Sequence, residues 1–116
     1  ITNCTITGNQ ASQTGGGLAL TGNSATYIQN SIVWGNDQIN TYPGEDIYIA
    51  NGAYAAVNYS DVGNVVNNTS NPGTFSDGGT NFNSDPKLLT RKTETFICAQ
   101  ALQQLIKPCA EALFSV

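Results

Sequence analysis

Oxygen-bearing side chains recur at short, alternating spacing late in the chain, at Asp77, Asn81, Asn83 and Asp85. Carboxylate and amide oxygens are the ligands that Ca²⁺ takes in proteins. The run lacks the bidentate glutamate and the spacing of an EF-hand, and two adjacent glycines lie within it. These residues predict either a weak calcium site or a glycine-rich turn. We favour the turn, and no cofactor other than calcium is expected.

Two aromatic side chains, Trp34 and Tyr48, occupy outward positions of predicted strands. Aromatic rings at such positions can stack on the faces of sugars, so these two residues are the predicted ligand-binding residues for a polysaccharide or a cell-surface glycan. The alternative is that each ring only packs on its neighbours, because single apolar residues on a protein surface are common.

The sequence contains few residues that are suited to catalysis. The chain has no histidine, so its serines lack the base of a hydrolase triad. Glycoside hydrolysis needs two carboxyl groups at a defined separation, whereas the acidic residues here are scattered. Asp46 and Asp61 could be neighbours in space, but such pairs are routine on a solvated surface. No catalytic residue is predicted.

Composition divides the chain near residue 87. All 12 glycines and all of the asparagines precede that point, whereas all four Lys and Arg residues lie at or after Lys87. Residues 1–86 therefore carry acidic side chains without a basic one, which argues against a nucleic-acid partner and suits an extracellular surface. No apolar run approaches the roughly 20 residues of a membrane-spanning helix.

The three cysteines do not indicate a metal site. Cys4 occupies a repeat position that Ser31 and Ser60 fill elsewhere, so it reads as a small buried residue. Cys98 and Cys109 match no zinc spacing. The chain opens on Ile1 without the features of a signal peptide, and we expect it to be part of a longer chain.

The sequence repeats itself. Leu18-Ala19-Leu20 matches Ile47-Tyr48-Ile49 at a spacing of 29 residues, and the motif Ile1-x-Asn3-Cys4-x-Ile6-x-Gly8-Asn9 returns as Ile28-x-Asn30-Ser31-x-Val33-x-Gly35-Asn36. Apolar residues alternate within each copy, and Gly-Asn pairs punctuate the strands, which indicates short strands joined by turns. Periods of this length are typical of solenoids. We predict an all-β fold, a right-handed parallel β-helix of about three rungs over residues 1–87.

In such a coil, equivalent asparagines lie over one another, and each amide can donate to the next. Asn3 and Asn30 are the predicted structural ladder. A ligand-binding or calcium-binding role is the alternative interpretation, but satisfying buried amides is the more common use of such positions.

The strings NCTITGNQA at 3–11, GGGLAL at 15–20 and NSIVWGND at 30–37 resemble the right-handed parallel β-helix repeat proteins of bacterial secreted and surface proteomes. The pectin-lyase-like superfamily shares that coil, and Gly16-Gly17-Leu18 is similar to the repeat of polymorphic outer-membrane proteins. The stretch from Asn58 to Pro86 resembles a closing element of these proteins. The resemblance implies a bacterial protein that is secreted or at the cell surface. Its lyases use a Lys or Arg base, which residues 1–86 lack.

Residues 88–116 do not follow the pattern. Residues 94–106 could form a short helix that ends before Pro108. The alternative is a frameshift: reading the tail one base out of frame permits a sequence like DPENGDFHLRPGSPAID, which commonly follows Asp-Pro in the β-helix proteins just named. We therefore expect 1–87 to be the folded domain and 88–116 to be a frameshifted, disordered or short helical tail.

These observations predict a non-catalytic extracellular stalk or adhesin-type module that displays loops and binds polysaccharide. The alternative is a scaffold fragment of a carbohydrate-active enzyme, either a polysaccharide lyase or a glycoside hydrolase, whose active site lies outside this chain.

Overall fold

The computed structural model describes residues 1–39 and 45–88. The chain divides into two compact units, Ile1–Pro86 and Lys87–Val116. The prediction of a frameshifted, disordered or helical tail over 88–116 falls almost entirely outside the described residues. The domain assignment therefore stays a prediction, and the description below concerns the first unit.

The described residues contain eleven short strands and no helix. The strands are β1 (Thr5–Thr7), β2 (Gln10–Ala11), β3 (Leu18–Leu20), β4 (Ala25–Gln29), β5 (Ile32–Trp34), β6 (Asp37–Gln38), β7 (Ile47–Ile49), β8 (Tyr54–Asn58), β9 (Asp61–Val62), β10 (Val65–Asn67) and β11 (Thr74–Asp77). The prediction of an all-β fold is confirmed.

All paired strands are parallel, and they form four sheets with the orders β1-β5-β9, β10-β7-β3, β11-β8-β4 and β2-β6. The sequence repeat reappears in the register of the pairs. Leu18 lies opposite Ile47, as the 29-residue spacing predicted, and Thr5 lies opposite Ile32. Each repeat therefore donates its backbone hydrogen bonds to the equivalent segment of a neighbouring copy rather than to an adjacent hairpin strand.

The finer prediction, a right-handed parallel β-helix solenoid of about three rungs in the pectin-lyase-like superfamily, was wrong. The described strands form four small, separate sheets of two or three strands each, with no closed or solenoid sheet. The ladders are short because residues in the left-handed region interrupt the extended backbone between strands, for example Asn30 (φ 48°) and Gly35 (φ 69°). The regular strand ends at such residues, although single backbone hydrogen bonds remain there, such as that from the Asn30 N–H to the Asn58 carbonyl.

The core between the sheets is aliphatic. Ile28, Val33, Ile47 and Ile49 are fully excluded from solvent, and Ile28 pairs with the almost fully buried Val57 across β4 and β8. Because side chains alternate across a strand, the neighbours of these residues point away from the core. The core thus sets which face of each strand is available to a ligand.

One residue type turns the chain after β4 and at the equivalent point before β1. Asn3 and Asn30 both adopt positive φ values, 55° and 48°, which asparagine tolerates better than most side chains. Tyr59, with φ 49°, occupies the third equivalent position. The turn conformation is therefore kept even where the asparagine is not.

Candidate functional site

Small polar side chains tie the strand ends together. Cys4 is exposed, so the prediction of a buried residue there was wrong. Its N–H donates to Ser31 Oγ at 3.1 Å, and the Ser31 N–H donates to Ser60 Oγ at 3.1 Å. The Ser60 N–H in turn donates to Asn81 Oδ1 at 3.0 Å. Each hydroxyl also donates to a carbonyl two residues earlier, that of Gln29 or Asn58, at 2.8 Å. These four residues, the hydroxyl ladder, satisfy backbone groups that the turns leave unpaired.

The predicted Asn3–Asn30 ladder lies one residue earlier in each copy. The hydrogen bonds found there involve the backbone, since the Asn3 N–H donates to the Gln29 carbonyl at 3.1 Å and the Asn30 N–H to the Asn58 carbonyl at 3.3 Å. An amide ladder between the two side chains stays a prediction. The hydroxyl ladder supplies cross-repeat contacts through side chains next to these backbone hydrogen bonds.

A buried carboxylate organises a second polar group. Asp46 is 5% exposed, and its Oδ1 accepts hydrogen bonds from Asn36 N at 2.8 Å and Asn36 Nδ2 at 3.0 Å. Its Oδ2 accepts from Asn64 N at 2.8 Å. Asn36 extends the network to Asn9, because the Asn36 Oδ1 accepts a hydrogen bond from the Asn9 side chain at 3.0 Å. These residues, Asn9, Asn36, Asp46 and Asn64, form the Asp46 network.

Both carboxylates buried in the described residues serve the backbone. Glu45, 7% exposed, accepts from Gly15 N at 2.8 Å through its Oε2. Asp61, which sequence reasoning considered as a partner of Asp46, instead accepts from Ser84 N at 3.3 Å. Among the described residues, no buried side-chain nitrogen or oxygen lacks a hydrogen-bond partner. Carboxylates used in this way stabilise the fold and are poorly placed for acid–base catalysis.

A cleft of about 330 Å³ lies beside the last strands, β8 to β11. Its walls combine core side chains with the polar residues that follow β11: Val57, Val62, Gly63, Asn64, Val65, Phe75, Asp77, Asn81, Phe82 and Asn83. Three of the four predicted calcium ligands therefore meet at one place. Asp85 is not among the lining residues.

The amides in this cleft bind backbone carbonyls. Asn81 Nδ2 donates to Asp77 Oδ1 and to the Val57 carbonyl, both at 2.6 Å. Asn83 Nδ2 donates to the Val62 carbonyl at 2.9 Å. A calcium ion would need the amide oxygens instead, and the Asn81 oxygen already accepts from Ser60 N. The geometry is that of a turn closing the strand ends, and the calcium site stays a prediction.

Hydrogen bonds hold the pKa of Asp77 below its usual range. The largest cause is the Gly79 N–H, and the Asn81 side chain adds to it, while desolvation acts in the opposite direction. The Gly79 N–H donates to Asp77 Oδ1 at 2.9 Å. Because these donors stabilise the carboxylate, Asp77 is ionised at neutral pH and is part of the turn.

Trp34 and Tyr48 lie at outward positions of β5 and β7, and both are only half-buried. Both side chains already contact neighbouring residues. The Tyr48 hydroxyl accepts from Asn68 Nδ2 at 2.6 Å, and the Trp34 ring lies against Gly63, where an added Cβ would come within 3.3 Å of Cε3. Glycan binding by these two residues stays a prediction.

Sequence reasoning passed over a second aromatic pair, the exposed Tyr27 and the half-buried Tyr54. Their ring centroids are 6.2 Å apart with an interplanar angle of 64°, and Tyr27 is 60% exposed. The repeat did not signal this pair, because the register of β4 and β8 places Tyr54 opposite Ala25 rather than opposite Tyr27.

Residues 1–39 and 45–88 contain no group of three or more His, Cys, Asp or Glu side chains that could hold a metal ion. In the same residues, no helix is long and apolar enough to span a membrane.

No protein-family model matches the chain, and no curated protein and no solved structure is significantly similar to it. The sequence predicted a pectin-lyase-like protein with polymorphic-outer-membrane-protein repeats. Neither relatives nor the arrangement of the sheets supports that prediction.

Proposed function

We propose that this protein is a non-catalytic extracellular module that displays outward side chains on a scaffold of parallel strands and binds polysaccharide. The observation that carries this proposal is the use of the polar residues. The buried polar side chains of the described residues, Ser31, Asn36, Glu45, Asp46 and Ser60, all hydrogen-bond to backbone groups of other segments. Such residues build a rigid support.

The outward surface supports a role in binding carbohydrate. It carries an exposed aromatic residue beside uncharged polar ones at Tyr27, which is 60% exposed. Tyrosine presents a large, rigid and amphipathic contact area at low cost in conformational entropy. A bacterial secreted or cell-surface location fits a surface made soluble by Asn, Thr and Ser with few charges.

The test is a combined binding and turnover assay on the purified 116-residue chain. Soluble polysaccharides, both neutral and anionic, would be embedded in the gels used for affinity electrophoresis. The same samples would be assayed for new reducing ends and for the ultraviolet absorbance of unsaturated uronides, the products of hydrolysis and elimination. We expect retardation without product. Failure to bind any polysaccharide would refute the proposal, and product formation would favour the enzyme alternative.

A further inference from the structure

We infer that Tyr27 and Tyr54 form an aromatic corner that binds an uncharged pyranose polysaccharide. This inference rests on the proposed function and assigns it a site, a face on sheet β11-β8-β4 that is separate from Trp34 and Tyr48.

Strand register places the two tyrosines on one face. Ala25 lies opposite Tyr54, and Tyr27 lies opposite Ala56, so the rings are diagonal neighbours on adjacent parallel strands. Diagonal neighbours are within reach of each other when a side chain is aromatic. The intervening positions Ala55 and Val57 are buried, and therefore the tyrosines project on the side opposite the core.

The Tyr54 ring holds the orientation of Tyr27. The interplanar angle of 64° at 6.2 Å between centroids is the edge-to-face arrangement that aromatic pairs prefer. Ala56, directly opposite Tyr27, is small and only 8% exposed, so neighbouring side chains cover it. Tyr27 nevertheless remains 60% exposed. A supported ring with an exposed surface can bind a ligand with little further loss of conformational freedom.

The geometry fits one sugar ring better than a flat crystalline surface. Two rings inclined at 64° cannot both lie parallel to a single plane, so they form a corner rather than a platform. A pyranose presents polarised C–H groups on its flat side, and these suit the negative face of an aromatic ring. The expected contact is one pyranose stacked on Tyr27, with an edge against Tyr54.

Uncharged hydrogen-bonding groups surround the corner. Gln29 lies opposite Asn58 at one end of the paired strands, and Thr74 and Ser76 continue the same face on β11. Amides and hydroxyls of this kind can donate to and accept from sugar hydroxyls. Polar groups beside an aromatic contact are the usual makeup of a small-molecule site.

Charge selects among polysaccharides. The outward positions of this sheet carry no ionisable group other than the tyrosine phenols, and residues 1–86 contain six acidic side chains and no Lys or Arg. A uronate-rich chain would be repelled by the net negative charge of this unit. The structure therefore points to a neutral polymer of hexopyranose units.

The experiment compares variants of the full-length chain for binding to hydroxyethylcellulose and galactomannan, both neutral, and to polygalacturonate, which is anionic. Affinity electrophoresis gives the dissociation constants. We expect binding to at least one neutral polymer and weaker or no binding to polygalacturonate. Tyr27→Ala should weaken binding by roughly tenfold or more, whereas Tyr27→Phe, which keeps the ring, should stay within about threefold.

Matched controls separate this site from the others. Tyr59→Ala removes an equally exposed tyrosine from outside the sheet face and should bind as the parent chain does. Trp34→Ala tests the ligand site predicted from the sequence. Because Tyr27 is exposed, its substitution should leave the thermal unfolding midpoint nearly unchanged.

Unchanged binding in Tyr27→Ala would overturn the aromatic corner while leaving the proposed function intact, as would a loss confined to Trp34→Ala. A preference for polygalacturonate would also overturn it. If no polysaccharide is bound, both this inference and the proposed function fail.

Discussion

At the scale of single residues, Asp46 shows how a carboxylate can serve structure. It is buried, and it accepts three hydrogen bonds that join Asn36 to Asn64. Sequence reasoning treated Asp46 as a surface acid that could approach Asp61, because the pattern of charges does not reveal which acids are enclosed. Its partners are backbone and amide N–H groups, so the carboxylate is satisfied without a cation.

Substituting Asp46→Asn should destabilise the fold. The amide keeps the shape but replaces one accepting oxygen by an NH₂ group, which faces an N–H of Asn36 or Asn64. We expect a loss of about 2–3 kcal/mol in the free energy of unfolding, measured by urea denaturation. Asp37→Ala is the matched control, because Asp37 is exposed and should change stability by less than about 0.5 kcal/mol. Equal effects of the two variants would contradict the role given to Asp46.

Asp77 should contribute a dependence of stability on pH. Its pKa is lowered in the folded state, first by the Gly79 N–H and then by Asn81. A group with a depressed folded pKa stabilises the protein above its unfolded pKa, and that contribution is lost as the pH falls through the folded pKa.

Unfolding measured from neutral pH down into the acid range should therefore show a smaller drop in stability for Asp77→Asn than for the parent chain. Carboxyl NMR should place the Asp77 midpoint below that of an ordinary aspartate. An Asp77 midpoint at or above the ordinary aspartate value would contradict the hydrogen bonds described.

At the scale of elements, the turn between β9 and β10 has to pass very close to the Asp46 network. Gly63 is buried there, and a Cβ at this position would collide with Asp46 Oδ2 and press on the Trp34 ring. Its φ is not in the left-handed region, so the requirement for glycine here is one of space.

Gly63→Ala should cost about 2–4 kcal/mol of folding free energy, because a well-packed site must shift to admit the methyl group. Gly8→Ala tests the other cause. Gly8 has φ 67° with nothing near its missing side chain, so only backbone strain of about 1–2 kcal/mol is expected. Urea denaturation of both variants would check this ranking, and a larger loss at Gly8 would show that crowding at Gly63 is not the controlling factor.

At the scale of the whole molecule, composition and structure divide the chain at nearly the same place. The first unit ends at Pro86, and the change from an acidic, Gly- and Asn-rich sequence to one with basic residues begins at Lys87. The hypothesis of a frameshift after Lys87 implies that residues 88–116 were not selected to pack on the preceding strands.

A chain ending at Lys87 should then unfold at the same urea concentration as the full chain and keep its β-type circular dichroism. Resequencing the encoding DNA across Lys87–Leu89 should recover one additional base. A lower midpoint for the shortened chain, together with an unchanged DNA sequence, would show that the tail is a genuine part of the fold.

The sequence by itself determined the all-β class and the register of the repeated strands. Apolar alternation and Asn/Gly turns report local backbone preferences, and the 29-residue spacing between Leu18 and Ile47 became a direct pair. Such information is local or periodic, and periodic signals are readable in one dimension. The same signals led to a solenoid and a family that the four separate sheets and the absence of relatives do not support.

Only the tertiary structure decided how the side chains are used. It assigned the amides of Asn81 and Asn83 to backbone carbonyls, enclosed Asp46, and brought Tyr27 and Tyr54 together on one face. These outcomes depend on which side of a strand is covered and which segments meet across long separations in sequence. A pattern of residue types does not contain that information, because burial and hydrogen bonding are properties of the packed chain.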